Sequence, residues 1–137
     1  MEQLKQNFIE LVKISGRLRK ECPWDAKQDL DSFHKYIVEE AIEVKKAAEA
    51  KDYVELKEEL GDVFWNIMFI CNIAKDNNLF DLNDVIVEVK EKMIRRHPHV
   101  FGNESKDMDS VHKKWEEIKE EENIVKEERK NKSESKT

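Results

Sequence analysis

Helix breakers are scarce in this chain: three glycines and two prolines among 137 residues. That scarcity, beside an abundance of Glu, Lys, Leu, Ile and Val, favours an all-helical protein. Cysteine is as rare. Cys22 and Cys71 stand far apart in no CxxC pattern, which argues against a disulfide framework and fits a reducing, cytoplasmic setting. Positive charge is also short. A net charge of −6 argues against a general nucleic-acid binder, which needs a basic surface to neutralise phosphates. No apolar run is long and uninterrupted enough to span a bilayer, and the opening MEQLKQNFIELVK has no signal-peptide apolar core. The expectation is a soluble protein without membrane or nucleic-acid partners, long enough for one domain with a hydrophobic core.

What is present is helical periodicity. Leu4, Phe8, Leu11, Val12, Ser15 and Leu18 predict a first helix over roughly 2 to 20, stopped by the prolyl break at Cys22–Pro23. Asp31 or Ser32 can cap a second helix bearing Phe33, Tyr36, Ile37, Ala41, Val44 and Ala47. A third, over roughly 53 to 76, carries Leu56, Leu60, Val63, Ile67, Ile70 and Ala74, spaced four and three apart as in a bundle seam. A fourth starts at Asp81 or Asn83 and stops at Pro98; a fifth is capped near Asp109 and bears Val111, Trp115 and Ile118. The chain thus reads as a helical bundle of about five helices. From Glu120 on there is little to bury, so 1–119 reads as the domain and 120–137 as a charged, disordered tail. The third helix is apolar over more than one face, and burying the second face against another copy makes the protein a homodimer or higher homo-oligomer.

The polar residues on those packing faces carry the chemistry. Glu40 is i+4 from Tyr36, i+3 from Ile37 and i−4 from Val44, inside the apolar stripe, with Glu43 at its border and Glu39 nearer the edge. On the third helix Glu59, Asp62 and Asn66 fall at i, i+3 and i+7, one above another. In a chain 41% charged, an isolated acidic pair is ordinarily solvated surface. A carboxylate on a packing face, however, costs several kcal/mol of desolvation unless it is paired or binds a cation. No lysine or arginine stands at i±3 or i±4 from Glu40 or Asp62. A bound metal resolves the conflict. The donors are oxygens, which suits Mg²⁺, with Mn²⁺ as substitute; zinc prefers His or Cys. No Glu-x-x-His motif of a di-iron bundle occurs at these pairs. Mg²⁺ commonly shares its coordination with substrate phosphates, so the ligand is a phosphorylated compound.

Counter-charge for phosphates lies in KEKMIRRHPH. Lys92, Arg95 and Arg96 fall within about one turn, and Lys92 and Arg96 share a face at i, i+4; cations there equally complement the helix dipole. His97 and His99 close the helix and contact substrate or backbone. Trp24 can stack on a nucleobase or plug the bundle end. Trp115 and Lys119, at i, i+4, suit a nucleotide or anchor the last helix to the core. Asn66 is a contact to substrate or to a ligand's neighbour.

Taken in order, CPWDAKQD, EEAIE, ELGD, RRHPHVFG and KKWEEIK resemble the MazG nucleotide pyrophosphohydrolases. Their EExxE…ExxD signature is matched by Glu39–Glu43, fifteen intervening residues, then Glu59–Asp62. The resemblance spans roughly residues 8 to 120 and implies the all-α NTP pyrophosphatase fold, shared with dimeric dUTPases and phosphoribosyl-ATP pyrophosphatases. It further implies Mg²⁺-supported hydrolysis of a nucleoside triphosphate to the monophosphate and pyrophosphate, for house-cleaning or nucleotide-pool control. Carried over, Glu40, Glu43, Glu59 and Asp62 are metal ligands, and Glu39 lies near a second ion or the attacking water. Lys92, Arg96, Trp115 and Lys119 then hold substrate, across a dimer interface. Many MazG proteins carry two such domains in tandem, one of which need not catalyse. The competing reading is therefore a non-catalytic nucleotide-binding regulatory module on the same fold.

Overall fold

Cys22 makes the first break in the helical chain. It is extended (φ −88°, ψ 119°) ahead of Pro23, as steric conflict with a following proline ring demands, and it closes α1, Glu2–Glu21. The computed structural model describes residues 1–135, among which all regular structure is helical. Eight helical segments occur instead of about five. Three of them are single turns: α2 (Pro23–Ala26), α3 (Leu30–Phe33) and α7 (Pro98–Phe101). Their origin is local. Proline at the first helical position starts α2 and α7, since it gives up an N–H that would be unsatisfied anyway. A reciprocal cap starts α3: Ser32 N–H donates to Asp29 Oδ1 (2.8 Å), and Asp29 N–H donates to Ser32 Oγ (3.0 Å). The cap is thus Asp29 rather than Asp31 or Ser32, because only that pair satisfies two backbone donors at once.

The described residues form two compact units, Met1–Asp84 and a second from Val85 onward. In the first, α4 (Lys35–Glu49) and α5 (Tyr53–Asp76) make a tight helical hairpin. Lys51 takes a left-handed conformation (φ 57°) in the turn, and Asp52 caps α5 by accepting from Glu55 N–H (3.1 Å). Phe33, Phe69 and Ile73 are the centre of the core, with Leu30, Tyr36 and Ile70 packed around them; the Phe33 and Phe69 rings lie 4.4 Å apart. Helix α1 joins this core through Ser15, buried and accepting from Asn72 Nδ2 (2.6 Å).

The expected seam of α5 is only partly what is buried. Met68, Phe69, Cys71, Ile73 and Ala74 are buried, whereas Leu60 is half exposed and Leu56, Val63, Ile67 and Ile70 are intermediate, so the stripe that packs inward is rotated toward 66, 69 and 73. A helix apolar on several sides does not announce by period alone which side its own chain will cover.

The second unit holds most of α6 (Leu82–Arg96), then α7 and α8 (Met108–Ser135). Asp81 and Asp84 cap α6 reciprocally (2.9 and 3.0 Å). Asp107, two residues ahead of the expected Asp109, accepts from Ser110 N–H (3.3 Å) at the start of α8. The disordered tail expected after Glu120 is, through Ser135, a continuation of α8; Lys136 and Thr137 lie outside the described residues. Two forces favour the longer helix: Glu122 is tied to α6, and the Glu- and Lys-rich sequence beyond it has high helix propensity.

Candidate functional site

The α4–α5 hairpin brings acidic residues together because it pairs positions equally far from its turn. Glu40 and Asp62 are equidistant from Lys51, as are Glu43 and Glu59. Carboxylate oxygens of Glu40, Glu59 and Asp62 all lie within 4.8 Å of one another, with Glu40 and Glu59 half-buried and Asp62 exposed. Among the described residues none of the three has a salt-bridged lysine or arginine. Glu39 and Glu43 are outside this trio: both are exposed, and Glu43 lies 3.5 Å from Lys46 Nζ, one turn along its own helix.

Glu55 was not legible as part of the site, although its place four residues before Glu59 puts it on the same face. Its hydrogen bond with Glu59 raises its carboxyl above the ordinary value, aided by burial and by the charges of Glu59, Asp52 and Glu43. For Glu59 the bond from Glu55 is the largest influence and favours the ionised form. The bond to Glu40, burial, and the charges of Glu40 and Asp62 together outweigh it, so Glu59 also sits above the ordinary carboxylate value. Crowded acids without a cation hold on to protons.

One turn beyond Asp62 on the same face, Asn66 is buried at 7% exposure, and its Nδ2 has no hydrogen-bond partner. A buried amide left without a partner is costly. The donor set fits a hard divalent cation: three carboxylates from two helices, all oxygen, lacking a neutralising side chain.

In the first unit the loop carrying Trp24 is held from behind by Arg19. Its Nη1 donates to the carbonyls of Asp25 (2.6 Å), Ala26 (3.2 Å) and Gln28 (2.8 Å), and its Nε to Asp76 Oδ2 (2.8 Å). Gln28, itself buried, donates to Trp24 O (3.0 Å). Trp24 rests against Phe33 and Tyr36, with ring centroids at 6.4 and 6.1 Å, and stays 46% exposed. It therefore lids the core, as a plug of the bundle end would, and keeps part of its surface exposed.

In the second unit Arg95 and Arg96 converge on one carboxylate. Arg95 Nε donates to Glu122 Oε1 (2.8 Å), with Arg95 Nη2 in ion-pair contact at 2.6 Å, and Arg96 Nε and Nη2 donate to Oε2 (3.0 and 2.6 Å). These bonds, Arg96's foremost, hold the Glu122 carboxyl down at about 2 against the opposing effect of burial. The Arg96 guanidinium also lies over the Trp115 ring at 5.0 Å. His97 meets Trp115 edge-on at 5.2 Å and bonds through Nδ1 to Met93 O (2.6 Å), so it closes the helix. No histidine joins the acidic trio among the described residues. Lys92 and Lys119 are both half-buried. Neither Arg19 nor Glu122 was singled out by sequence, because a basic residue in a charged helix and a glutamate in a charged run carry no local signal.

Residues 28–101 match the MazG nucleotide pyrophosphohydrolase domain. The chain is 43% identical over 114 residues to the nucleoside triphosphate pyrophosphohydrolase/pyrophosphatase MazG of Thermotoga maritima, a match covering 82% of this chain and 44% of that protein. It is 38% identical over 120 residues to a nucleoside triphosphate pyrophosphohydrolase of Escherichia coli, covering 85% and 46%. The chain therefore spans less than half the length of these curated relatives. A crystal structure of a mazG-related protein from Thermotoga maritima superposes with a TM-score of 0.72 at 30% identity, over 81% of this chain and 97% of that one.

Proposed function

Because the chain belongs to the MazG nucleotide pyrophosphohydrolase domain family, we propose that it hydrolyses nucleoside triphosphates, NTP + H₂O → NMP + PPi, in clearing or adjusting nucleotide pools. The observation that carries this reading is the trio Glu40, Glu59 and Asp62, which falls within the family's acidic motif and has no neutralising side chain. These three hold a Mg²⁺ ion, or Mn²⁺ in its place; Glu43 and Glu39, from the exposed side of α4, are available to a further ion or to water. A divalent cation bound there supplies charge neutralisation of the triphosphate and activation of water.

The remaining roles follow from what each side chain offers. Glu55, four residues before Glu59 on the same helix, adds negative charge beside it. Asn66 Nδ2, buried and unpartnered, donates to a phosphate oxygen or the water beside it. Arg95 and Arg96, with Lys92 and Lys119, offer counter-charge that binds substrate phosphates. Of the two tryptophans, Trp115 has one face under Arg96 and its flank against His97; Trp24, with 46% of its surface exposed, is the better platform for a base. The domain occupies residues 1–119, and 120–137 is an appendage to it.

Half-exposed apolar residues on α4 and α5, among them Ile42, Leu60 and Phe64, support association with a second copy of the chain. No helix among the described residues is long and apolar enough to cross a membrane, which accords with a cytoplasmic setting.

The test is PPi release from mixed NTPs with and without Mg²⁺, for wild type and for Glu59→Gln and Asp62→Asn. We expect each substitution to cut turnover at least about a hundredfold, the upper end of the loss for groups that support a bound metal. Near-normal turnover in both folded variants refutes the metal site. NTP binding without PPi release from the wild type would instead make it a regulatory binding module.

A further inference from the structure

Arg95 and Arg96 are consecutive on α6, so their Cα–Cβ bonds diverge by about 100° around the helix. Two long cationic side chains starting in different directions, and repelling one another, have no reason of their own to meet. They meet at Glu122. Each guanidinium turns its Nε–Nη2 side to the carboxylate, one to each oxygen, Arg96 with two hydrogen bonds and Arg95 with one and an ion-pair contact, which leaves both Nη1 groups outside the clamp. Glu122 and Arg96 are nearly enclosed, at 13% and 15% side-chain exposure, whereas Arg95 is 51% exposed. Arg96 is fixed further by the Trp115 ring. Two positive charges against one negative leave the assembly net positive.

We propose that Glu122 is a positioning residue for substrate phosphates, gathering the guanidinia of Arg95 and Arg96 into one anion-binding pair. The inference rests on the phosphate-binding role assigned to those arginines above. Arginine recognises an oxyanion through a planar fork of donors, and a fork already ordered loses less rotamer freedom when an anion arrives. Arg95 and Glu122 line a groove of about 490 Å³ that also takes in Lys92, Lys126 and Arg129 beside three further glutamates. The oxyanion thus has room beside Arg95, in a groove whose three further cations are matched by the three glutamates. The opposite possibility is that Glu122 occupies the arginines as a stand-in anion and must leave before substrate binds. Its enclosure argues against that, because displacing it would strand a carboxylate that now accepts three charged donors. Glu122 stays, and substrate takes the outward donors.

The two possibilities predict opposite signs. Steady-state PPi release under saturating Mg²⁺ is to be measured for wild type, Glu122→Gln, Glu122→Asp, Arg96→Ala and the Glu122→Gln/Arg96→Ala double variant. Glu122→Gln is expected to raise KM for NTP about tenfold, the scale set by the lost ordering of two arginine side chains, with kcat little changed. Glu122→Asp, charged but one methylene shorter, should fall between; it carries the test if the glutamine variant does not fold by circular dichroism. In the Arg96→Ala background Glu122→Gln should add little. A lower KM in Glu122→Gln overturns positioning in favour of competition. An unchanged KM with a reduced melting temperature overturns it in favour of a helix tether. An Arg96→Ala variant with normal KM shows instead that the arginine–phosphate assignment itself is wrong.

Discussion

Replacing Arg19 with alanine should cost about 3 kcal/mol of stability, a sum that follows from where its donors end. The side chain is 13% exposed. Its bonds to the Asp25 and Gln28 carbonyls are part-buried, and the one to Ala26 O is exposed. In the variant Gln28 O loses a charged donor at a site water reaches poorly, worth about 1.5–2 kcal/mol. Asp25 O keeps the long bond from Gln28 N–H (3.3 Å), so its loss is nearer ~1 kcal/mol. The Ala26 carbonyl turns to solvent at little cost. Asp76, whose side chain is 54% exposed, gives up an ion pair worth at most about 0.5 kcal/mol, and the guanidinium over Phe69 at 5.9 Å about as much again. Urea denaturation followed by circular dichroism reads the total, with a melting temperature lower by roughly 10 °C. Arg19→Lys, a point charge that cannot span three carbonyls, should recover less than half of the loss. The loop carries Trp24, so KM for NTP should rise in step with the lost stability. A loss below about 1 kcal/mol in Arg19→Ala would refute the reasoning, because it would mean that the loop is ordered without its central donor.

Addition of Mg²⁺ should raise the melting temperature of the wild type and leave that of Glu59→Gln nearly unmoved, since ligand binding to the folded state alone stabilises it; an equal shift in both would place the ion elsewhere. Without divalent cations, stability should fall as pH rises above the ordinary 4.5. The carboxyls of Glu59 and Glu55 are raised in the fold, so the folded state binds more protons there and loses that advantage as they ionise. Glu122 has the opposite sign: held down to about 2, it stabilises above 4.5 and ceases to as pH falls toward 2, a limb that Glu122→Gln should remove from melts taken at successive pH values. Leu60, half exposed on α5, is the residue to charge in testing self-association: Leu60→Glu should reduce the mass measured by light scattering, and a monomeric wild type would refute that interface.

Helices were legible where their ends carried chemistry of their own. Pro23, Pro98 and the Asp81 cap put α1 and α6 close to where they lie. The errors arose where two signals competed. Asp31 and Ser32 looked like caps in isolation, but Ser32 is the far half of a pair begun by Asp29, and a reciprocal pair satisfies more donors than either alone. On α5 the apolar residues surround the axis, so the period allowed several inward faces, and only the position of Phe33 and α1 chose among them. Beyond Glu120 little is buried, yet α8 runs on through Ser135, because an exposed run of Glu and Lys needs only a tethered start to continue as helix.

The site divides along the same line. Glu40, Glu59 and Asp62 could be found because each contradicted its surroundings: a carboxylate on a packing face with no cation at helical neighbour positions. Glu43 passed the first half of that test and fails the second, since Lys46 is one turn away. Glu55, Arg19 and Glu122 contradicted nothing locally. Each acquires meaning from a partner that only the fold supplies, whether an adjoining carboxyl, three loop carbonyls or two guanidinia. Glu122 is the sharpest case, because it turns two arginines that helical geometry sends apart into neighbours. For the proposed phosphate site, the consequence is that a glutamate can serve anion binding. Its own charge subtracts from the attraction, but the order it imposes on two guanidinia is gained before substrate arrives.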